Sequence, residues 1–323
     1  MQRIELGLTG DSLKLSMAAR NDLSLRQLEY VVAVADTLGF HRAARACHVS
    51  QPALSSQIQL IERVLGFALF ERDRRTVRVT EPGRAIVQHA RAVLTATDDL
   101  LLAAEGYLDP YARTLRWGVI PTIAPYLLPE IMPGMAARFP RLELRFTEEK
   151  TADIRAHLES GSLDAGLVAL EADLGGLAHA VIARDEFVVA LPKAHALAKK
   201  KTIKLSDLDG ETVLLLDDGH CFRTNALEVC ARAGAIEASY RATSLATLTQ
   251  MVALGRGLTL LPAIAAPIEN RRAQLVLRPL ARPGAHRTLA LVWRPGSPLA
   301  SLFEELARTW RTELKRPPRA ARQ

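Results

Sequence analysis

The chain has 323 residues, of which 49% are hydrophobic, and its formal charge of +7 gives a sequence pI near 9.6. No apolar run approaches the roughly 18 residues that span a bilayer, and three cysteines cannot build a disulfide scaffold. These values argue against a membrane-spanning protein and a small secreted domain. They predict a soluble globular protein of two or three domains, which we expect in the cytoplasm.

The first organised segment follows residues 1–22, which show no sustained hydrophobic period and are predicted to be an N-terminal extension. Apolar residues then recur at helical spacing, with Ser24 as a plausible N-cap. A second short helix over residues 41–47 is followed by a third over residues 51–65, for which Ser50 is the N-cap. Two short helices joined by a tight turn predict a helix-turn-helix.

The third predicted helix carries short polar side chains at its N-terminal end, and a proline lies in its first turn. Side chains of this kind at a helix N-terminus are used to read base edges in the major groove of double-stranded DNA. The candidate DNA-binding residues of this helix are Ser50, Gln51, Pro52, Ser55 and Ser56.

Two short alternating strands around a charged turn come next, over residues 67–80, and this pattern is typical of a wing. Residues 23–91 contain ten arginines and six carboxylates, and the arginines are concentrated in the turn. Taken alone, such a cluster is equally typical of a solvated turn. Beside a helix-turn-helix it predicts a clamp on DNA phosphates, and its candidate residues are Arg72, Arg74 and Arg75.

A long helix with a broad apolar stripe is predicted to begin near residue 80, and we expect its stripe to pack against a second copy of the chain. After the Asp109-Pro110 dipeptide, strands and helices alternate, which predicts parallel strands with helical crossovers in an α/β domain of two lobes. The predicted domains are a winged helix-turn-helix (23–80), a linker and dimerisation helix (81–110) and a two-lobed regulatory domain (111–323), with lobe I over about 113–187 plus 287–316 and lobe II over about 188–286.

Residues 217–230 contain two of the three cysteines and are predicted to form a redox switch. Cys221 precedes an amphipathic helix, and the positive potential of a helix N-terminus, His220 and Arg223 is expected to lower the pKa of its thiol. Cys221 is therefore the candidate reactive cysteine. The apolar positions of this helix are Ala226, Leu227, Cys230 and Ala233.

The spacing of the two cysteines limits how they can react with each other. If residues 221–230 are all helical, the two Cα atoms lie about 13 Å apart, whereas a disulfide tolerates about 7 Å. A bond between Cys221 and Cys230 therefore requires the helix to unwind. From the residues alone, a second interpretation stays open, in which both cysteines are small buried hydrophobes in a reducing cytosol. Cys47, in the second predicted helix, is interpreted as a core residue.

The order of winged helix-turn-helix, long helix and two-lobed α/β domain resembles the LysR-type transcriptional regulators over about residues 23–316. The stretch from Ala43 to Ser55 resembles their DNA-binding signature. Within that family, residues 218–223, Cys230 and residues 241–245 resemble the peroxide-sensing members. One departure is visible, because Thr224 stands where these regulators usually have an aspartate.

The resemblance implies a regulatory domain like the periplasmic binding proteins and a function in activating oxidative-stress genes. It implies that hydrogen peroxide, rather than a cofactor, reaches the site and oxidises Cys221, and that Cys230 then forms a disulfide with it and refolds the regulatory domain. The implied peroxide pocket consists of Thr122, Thr151, His220, Arg223 and Arg287.

The partners implied by the resemblance are promoter DNA, RNA polymerase, further copies of the chain in a homodimer that assembles to a homotetramer, and disulfide reductants such as glutaredoxin or thioredoxin. No membrane partner and no enzymatic activity are expected. Two alternatives differ in class. One is a regulator of the same family that responds to a small organic effector in the interlobe cleft, and the other is a thiol peroxidase, for which the helix-turn-helix would be unexplained.

Overall fold

The computed structural model describes residues 23–72, 76–106, 109 and 111–314. Its residues form two compact units that divide after Leu101. Each unit contains a hydrophobic core of its own. The predicted N-terminal extension lies outside the described residues.

The first unit contains the predicted helix-turn-helix and wing. Its elements are α1 (Leu25–Thr37), α2 (Phe40–Ala46), α3 (Gln51–Leu65), β1 (Phe70–Arg72), β2 (Val77–Val79) and the start of the linker helix α4 (Glu81–Gly106). The predicted caps are confirmed, since the Ser24 hydroxyl accepts a hydrogen bond from the Gln27 N–H and the Ser50 hydroxyl accepts one from the Ala53 N–H. These bonds satisfy helix N–H groups that have no partner within the helix.

Apolar residues from the three helices and the wing fill the core of the first unit. Val31, Val34, Leu54 and Ile58 are fully buried there, as their helical spacing predicts. The linker helix begins against the wing, where Thr80 accepts a hydrogen bond from the Gly83 N–H at 2.9 Å. Position 83 has room only for glycine, because an added Cβ would collide with the wing's backbone.

The second unit alternates strands and helices. Its elements are β3 (Thr114–Val119), α5 (Ala124–Arg138), β4 (Glu143–Glu148), α6 (Thr151–Glu159), β5 (Ala165–Ala169), β6 (Ala178–Leu191), β7 (Thr212–Leu216), α7 (Cys221–Ala233), β8 (Ile236–Ala242), α8 (Leu245–Ala253), β9 (Thr259–Pro262), α9 (Ala266–Ala273), β10 (Val276–Pro279), β11 (His286–Trp293) and α10 (Ala300–Leu314). Short 3₁₀ helices span Ala196–Lys199 and Leu205–Leu208.

The prediction of a parallel sheet is correct for only part of this unit. Strands β4, β3 and β5 are parallel, and so are β7 and β8. Strand β6, however, runs antiparallel to β11, β9 and β10. Strand β6 extends over 14 residues and continues through the charged residues that interrupt its apolar run.

The long strand β6 joins two lobes, each with its own core. Ile182 of β6 packs into the first core with Trp117 and Trp310. Five residues later, Phe187 packs into the second core with Phe222. The part of the chain that the structure describes has no helix that combines the length and apolar character needed to cross a membrane.

Candidate functional site

Cys221 is the first residue of α7, Cys221–Ala233, which we call the cysteine helix. A turn through Gly219, whose φ of 89° lies in the left-handed region, leads into it. His220 is the N-cap residue, although its side chain makes no capping hydrogen bond. The helix ends where Gly234 adopts a φ of 71°, in the left-handed region that favours glycine.

The two thiols of the cysteine helix face different hydrophobic cores. Cys221 is half-buried and packs against the core of the first lobe. Cys230 is only 4% exposed and belongs to the core of the second lobe, which confirms that it faces the buried side of the helix. A continuous helix of this length holds the two Cα atoms about 13 Å apart. The structure therefore keeps the thiols separated.

An open cavity of about 680 Å³ lies beside Cys221, between the two lobes. One wall comes from one face of α6 and the segment after β5, and the other comes from the turn before the cysteine helix and its first turns. Besides Cys221, its lining includes Thr151, Glu171, His220, Thr224 and Leu227. Small molecules in this cavity have direct access to the thiol.

A fully buried arginine, Arg287, lies next to the first turn of the cysteine helix. Its Cζ atom is 5.5 Å from the centre of the Phe222 ring. Its Nε donates a hydrogen bond to Asp185 Oδ2 at 2.9 Å. Its Nη1 donates to Thr122 Oγ1 at 2.7 Å, and its Nη2 donates to the Thr122 carbonyl at 2.8 Å. These bonds bring the predicted residues Thr122 and Arg287 together.

The Thr151 hydroxyl is a free polar group at this site. Thr151 is the first residue of α6 and is 7% exposed. Its Oγ1 makes no hydrogen bond of normal geometry to the described residues, but it is close enough to donate to the Cys221 sulfur when that sulfur is a thiolate, which lowers the pKa of the thiol. Buried hydroxyls normally have a hydrogen-bond partner. This hydroxyl is therefore available to a small polar molecule beside the sulfur.

The pKa of the Cys221 thiol differs from the prediction. Burial raises the pKa, and the charge of Arg287, the Thr151 hydroxyl and the Phe222 N–H oppose that rise only in part. The expected lowering of the pKa by His220 and Arg223 is wrong, because packing against the first lobe removes water from the sulfur. At neutral pH, Cys221 is therefore mainly a protonated thiol. Its thiolate forms only when the proton is transferred to another group.

His220 is uncharged at neutral pH. Burial is the first cause that lowers the pKa of its imidazole, and the charge of Lys150 lowers it further. Asp217, with Oδ1 3.0 Å from His220 Nε2, acts in the opposite direction. A neutral imidazole has one donor and one acceptor nitrogen, and the Nε2 nitrogen of His220 faces Asp217.

Arg223 does not present its guanidinium to the thiol, although it lies near the cavity. Its Nε donates to Asp218 Oδ1 at 3.0 Å, and its Nη1 lies 2.9 Å from Glu237 Oε1. Arg241 contacts the same two carboxylates, at 2.8 and 3.0 Å. Arg223 is thus one of the residues that line the cavity, and its ion pairs also fix the start of the cysteine helix to β8, whereas its predicted role toward peroxide stays a prediction.

The resolving candidate, Cys230, is unreactive where it lies. Burial raises the pKa of its thiol to about 11, and the negative charge of Glu237 contributes to the rise. A thiol with this pKa is almost fully protonated at neutral pH. Reaction at Cys230 therefore requires the residue to leave the second core.

The predicted DNA-binding residues of α3 lie together at its N-terminal end. Ser50 caps the helix, and the Ser56 hydroxyl donates a hydrogen bond to the Ala53 carbonyl at 2.8 Å. Gln51 and Ser55 are partly exposed, and Pro52 is exposed. Arg74 and Arg75 lie outside the described residues, as does the side chain of Arg72, so their role in a phosphate clamp stays a prediction.

Two residues at the site were not predicted from the sequence. Asp185 pairs with Arg287 in the β6–β11 register, and Lys150 donates a hydrogen bond from Nζ to the Asp218 carbonyl at 2.9 Å. Asp185 lies between Arg184 and Glu186, so no pattern in the sequence distinguished it from its charged neighbours. The contact of Lys150 depends on the approach of the two lobes, which no local pattern reveals.

Removing the Arg223 side chain should destabilise the second lobe. Arg223→Ala leaves Glu237 without its most buried partner, which should lower the free energy of unfolding by about 3 kcal/mol. Arg241 is exposed, so Arg241→Ala should lower the free energy of unfolding by less than about 1 kcal/mol. Urea unfolding of the full-length chain, followed by circular dichroism, measures both. Equal losses for the two variants would contradict the assigned anchoring role.

The same ion pairs give the stability a defined pH dependence. Hydrogen bonding to Arg223, and then to Arg241, holds the pKa of Glu237 below its ordinary value. The stabilisation is therefore complete above the unfolded pKa of about 4.3 and is lost as the pH falls through the lower folded value. This acid-side loss of stability should be smaller in Arg223→Ala than in the unsubstituted chain.

Two families match the chain along its length. The bacterial regulatory helix-turn-helix proteins of the lysR family match residues 25–84, and the LysR substrate binding domain matches residues 109–315. The two matches coincide with the winged helix-turn-helix and with the two-lobed α/β region that contains Cys221 and Cys230.

Individual relatives agree with these matches. OxyR of Escherichia coli K12, a DNA-binding transcriptional dual regulator, is 42% identical over 293 residues, which cover 90% of this chain and 96% of the relative. Full-length Pseudomonas aeruginosa OxyR, carrying a cysteine-to-aspartate substitution, has a TM-score of 0.74 at 33% identity and covers 90% of this chain and 95% of its own. Hydrogen-peroxide-bound Corynebacterium glutamicum OxyR, carrying a cysteine-to-serine substitution, has a TM-score of 0.62 at 32% identity, with 90% and 92% covered. The chain belongs to the LysR family of bacterial helix-turn-helix transcriptional regulators.

Proposed function

We propose that the chain is a hydrogen-peroxide-sensing transcriptional regulator in which Cys221 is the reactive thiol and Cys230 the resolving thiol. The observation that carries this proposal is the position of Cys221, which lines the interlobe cavity beside the unpartnered Thr151 hydroxyl. Relatives support it, since OxyR from Corynebacterium glutamicum has been solved with hydrogen peroxide bound. Cys230 lies in the hydrophobic core of the second lobe.

The first chemical step is an attack by the Cys221 sulfur on one peroxide oxygen. An S–O bond forms as the O–O bond breaks, sulfur is oxidised to a sulfenic acid, and the departing oxygen leaves as water after it receives a proton. Arg287 places positive charge where the leaving oxygen becomes negative, and the Thr151 hydroxyl is free to hold the peroxide. Neutral His220 can accept the thiol proton and pass it on.

The second step joins the two cysteines. The Cys230 sulfur attacks the sulfenic sulfur of Cys221, an S–S bond forms, and the hydroxyl group leaves as a second water molecule. The helix geometry prevents this reaction until the segment between the cysteines unwinds. Unwinding also exposes the Cys230 thiol to water and lets its pKa fall toward the ordinary range. Local unfolding is therefore the conformational signal.

The refolded segment then acts on DNA through the rest of the regulator. Both walls of the cavity change when the cysteine helix unwinds, so the two lobes change their contacts, and an oligomer transmits that change to its linker helices and DNA-binding heads. Promoter DNA is the binding partner of the helix-turn-helix. The proposal includes two further partners, RNA polymerase and a glutaredoxin- or thioredoxin-like reductant. It also includes a homodimer that assembles to a homotetramer, and a cytoplasmic location.

A small organic effector is a second candidate signal, and one observation favours it. The cavity of about 680 Å³ is far larger than hydrogen peroxide requires, and a periplasmic-binding-protein-like domain holds its ligand between two lobes. An effector would shift DNA binding in a variant with serine at both Cys221 and Cys230. Peroxide sensing requires that variant to be unresponsive.

The DNA-binding surface should separate into a base-reading part and a phosphate-binding part. Gln51→Ala should relax sequence preference, because it removes a donor and acceptor at the N-terminus of α3. Arg78→Ala, an exposed change in β2, should weaken binding to all sequences alike and reduce the salt slope by about one. Titrations of full-length protein on specific and scrambled duplexes at several salt concentrations measure the sequence preference and the salt slope. The assignment would be wrong if Arg78→Ala relaxed the sequence preference and Gln51→Ala weakened binding to all sequences alike.

Substitution of Cys221 and substitution of Cys230 should have different effects on the reaction with peroxide. Cys221→Ser should abolish the response to peroxide, because a hydroxyl is not a thiolate nucleophile. Cys230→Ser should still form a sulfenic acid at Cys221 that dimedone labels, but no lasting disulfide. Cys47→Ser, in the other compact unit, is the matched control and should behave like the unsubstituted chain. Mass spectrometry after peroxide treatment distinguishes these products, and a response in Cys221→Ser equal to the unsubstituted chain would end the proposal.

Weakening the buried side of the cysteine helix should speed disulfide formation. Val229 is 4% exposed in the second core, so Val229→Ala removes about 2 kcal/mol of burial and should raise the rate of the second step by up to about 30-fold. Leu227→Ala is the graded comparison: Leu227 is half-buried, packs against the same core and lines the cavity, so its loss should speed the second step less than the loss of Val229.

Stopped-flow oxidation with acid quench and mass spectrometry measures the conversion of sulfenic acid to disulfide in each variant. Equal rates for Val229→Ala and the unsubstituted chain, with both folded, would show that helix unwinding does not limit the reaction.

A further inference from the structure

Asp185 is a buried carboxylate at the point where β6 passes from the first lobe to the second. Its side chain is 0% exposed, as is that of Arg287, its direct partner in the antiparallel register of β6 and β11. An ion pair removed from water in this way costs free energy unless its geometry satisfies both groups. The structure shows that both oxygens of Asp185 are used.

The two oxygens of Asp185 accept hydrogen bonds from different parts of the second unit. Oδ2 accepts the bond from Arg287 Nε at 2.9 Å. Oδ1 accepts a bond at 3.1 Å from the backbone N–H of Ile264, which follows strand β9 in the second lobe. The carboxylate is therefore fixed by a backbone group, and in turn it fixes the edge of the guanidinium.

The guanidinium of Arg287 is held on three sides. Asp185 binds Nε, and Thr122 accepts bonds from both Nη atoms. An arginine has five N–H donors, so one N–H on each Nη atom remains beyond these three bonds. The charge of this group already acts on the Cys221 sulfur. The remaining N–H groups are thus held in one orientation, on a guanidinium whose Cζ lies 5.5 Å from the ring of Phe222, the residue that follows Cys221.

We propose that Asp185 is a positioning residue for the thiol site: it fixes the plane of the Arg287 guanidinium and balances its charge, so that Arg287 meets the departing peroxide oxygen in a single orientation. This inference rests on the proposed function of Cys221 and adds to it a residue that touches neither the sulfur nor the cavity. Its action passes through Arg287.

An asparagine at position 185 cannot replace the carboxylate, for a reason that the hydrogen bonds make specific. Both partners of Asp185, the Arg287 Nε–H and the Ile264 N–H, are donors. An asparagine has only one acceptor oxygen, so its NH₂ group must point at one of the two donors in either orientation. Asp185→Asn therefore loosens either the guanidinium or the backbone that holds it, without changing the size of the side chain.

The charge balance at the thiol changes in the same variant. The charged and titratable groups that act on Cys221 are Arg287 from β11 and Glu171 after β5, and its neighbour His220 is itself influenced by Lys150 and Asp217. Removing the Asp185 charge leaves the positive charge of Arg287 without its counter-ion. The thiolate becomes more favourable, so the pKa of Cys221 should fall.

The test measures these two effects separately in the full-length chain with Cys230→Ser, which stops the reaction at the sulfenic acid. The pH dependence of iodoacetamide labelling gives the pKa of Cys221, and the peroxide rate constant at a pH above that pKa gives the reactivity of the thiolate. In Asp185→Asn, labelling at pH 7 should become at least about threefold faster, which corresponds to a fall of half a pKa unit. The rate constant of the thiolate with hydrogen peroxide should fall at least about tenfold, because the guanidinium is misplaced.

A second aspartate serves as the matched control. Asp164 pairs with Arg116 in the same sheet, with Oδ1 3.0 Å from Nη2, and does not line the cavity. Asp164→Asn should change neither quantity. An unchanged or higher Cys221 pKa in Asp185→Asn, or an unchanged thiolate rate constant, would overturn the proposal. A loss of peroxide reactivity without the fall in pKa would indicate a merely structural role.

A double-mutant cycle tests whether Asp185 acts through Arg287. Adding Asp185→Asn to Arg287→Gln should leave both quantities within about twofold of Arg287→Gln alone, and a larger change would contradict the proposal. The double variant removes both buried charges together, so it keeps the test available if Asp185→Asn alone does not fold.

The labelling result does not depend on peroxide. If the unsubstituted site reacts slowly with peroxide, the proposed function fails while the labelling result still reports on Asp185.

Discussion

The cysteine helix holds two thiols in separate hydrophobic cores, and the rest of the regulatory unit depends on this separation. Cys221 packs against the first lobe and Cys230 lies inside the second. Helical geometry places their Cα atoms about 13 Å apart, beyond the reach of a disulfide. The folded helix and the bond between the cysteines therefore exclude each other. This exclusion makes a chemical change at one sulfur a conformational change of the whole segment.

The reactivity of Cys221 arises from the interlobe contact and from groups outside the helix. Burial alone would make the thiol inert, and Arg287, Thr151 and the Phe222 N–H act against that burial. Arg287 owes its orientation to Asp185 and Thr122. The same contact between the lobes thus raises the pKa of the sulfur and brings the charge of Arg287 close enough to oppose that rise.

Local patterns in the sequence predicted the features whose causes are local. Ser24 and Ser50 fix the starts of two helices by bonding to N–H groups three residues away, and the apolar spacing places Cys230 on the buried side. The pKa of Cys221 was mispredicted because its burial comes from the other lobe. The ion pairs of Arg223 were not predicted, because its partner Glu237 lies on a strand that follows the helix. Features created by tertiary contact leave no periodic signal in the chain.

The most direct test of the exclusion between helix and disulfide is hydrogen exchange at residues 226–232 in the full-length chain, before and after oxidation. The account predicts strong protection of these amides in the reduced protein, because a packed helix opens rarely. It predicts the loss of that protection once mass spectrometry confirms the bond between Cys221 and Cys230. Unchanged protection in the disulfide-bonded protein would contradict the account, since the two thiols would then meet without any unwinding of the helix.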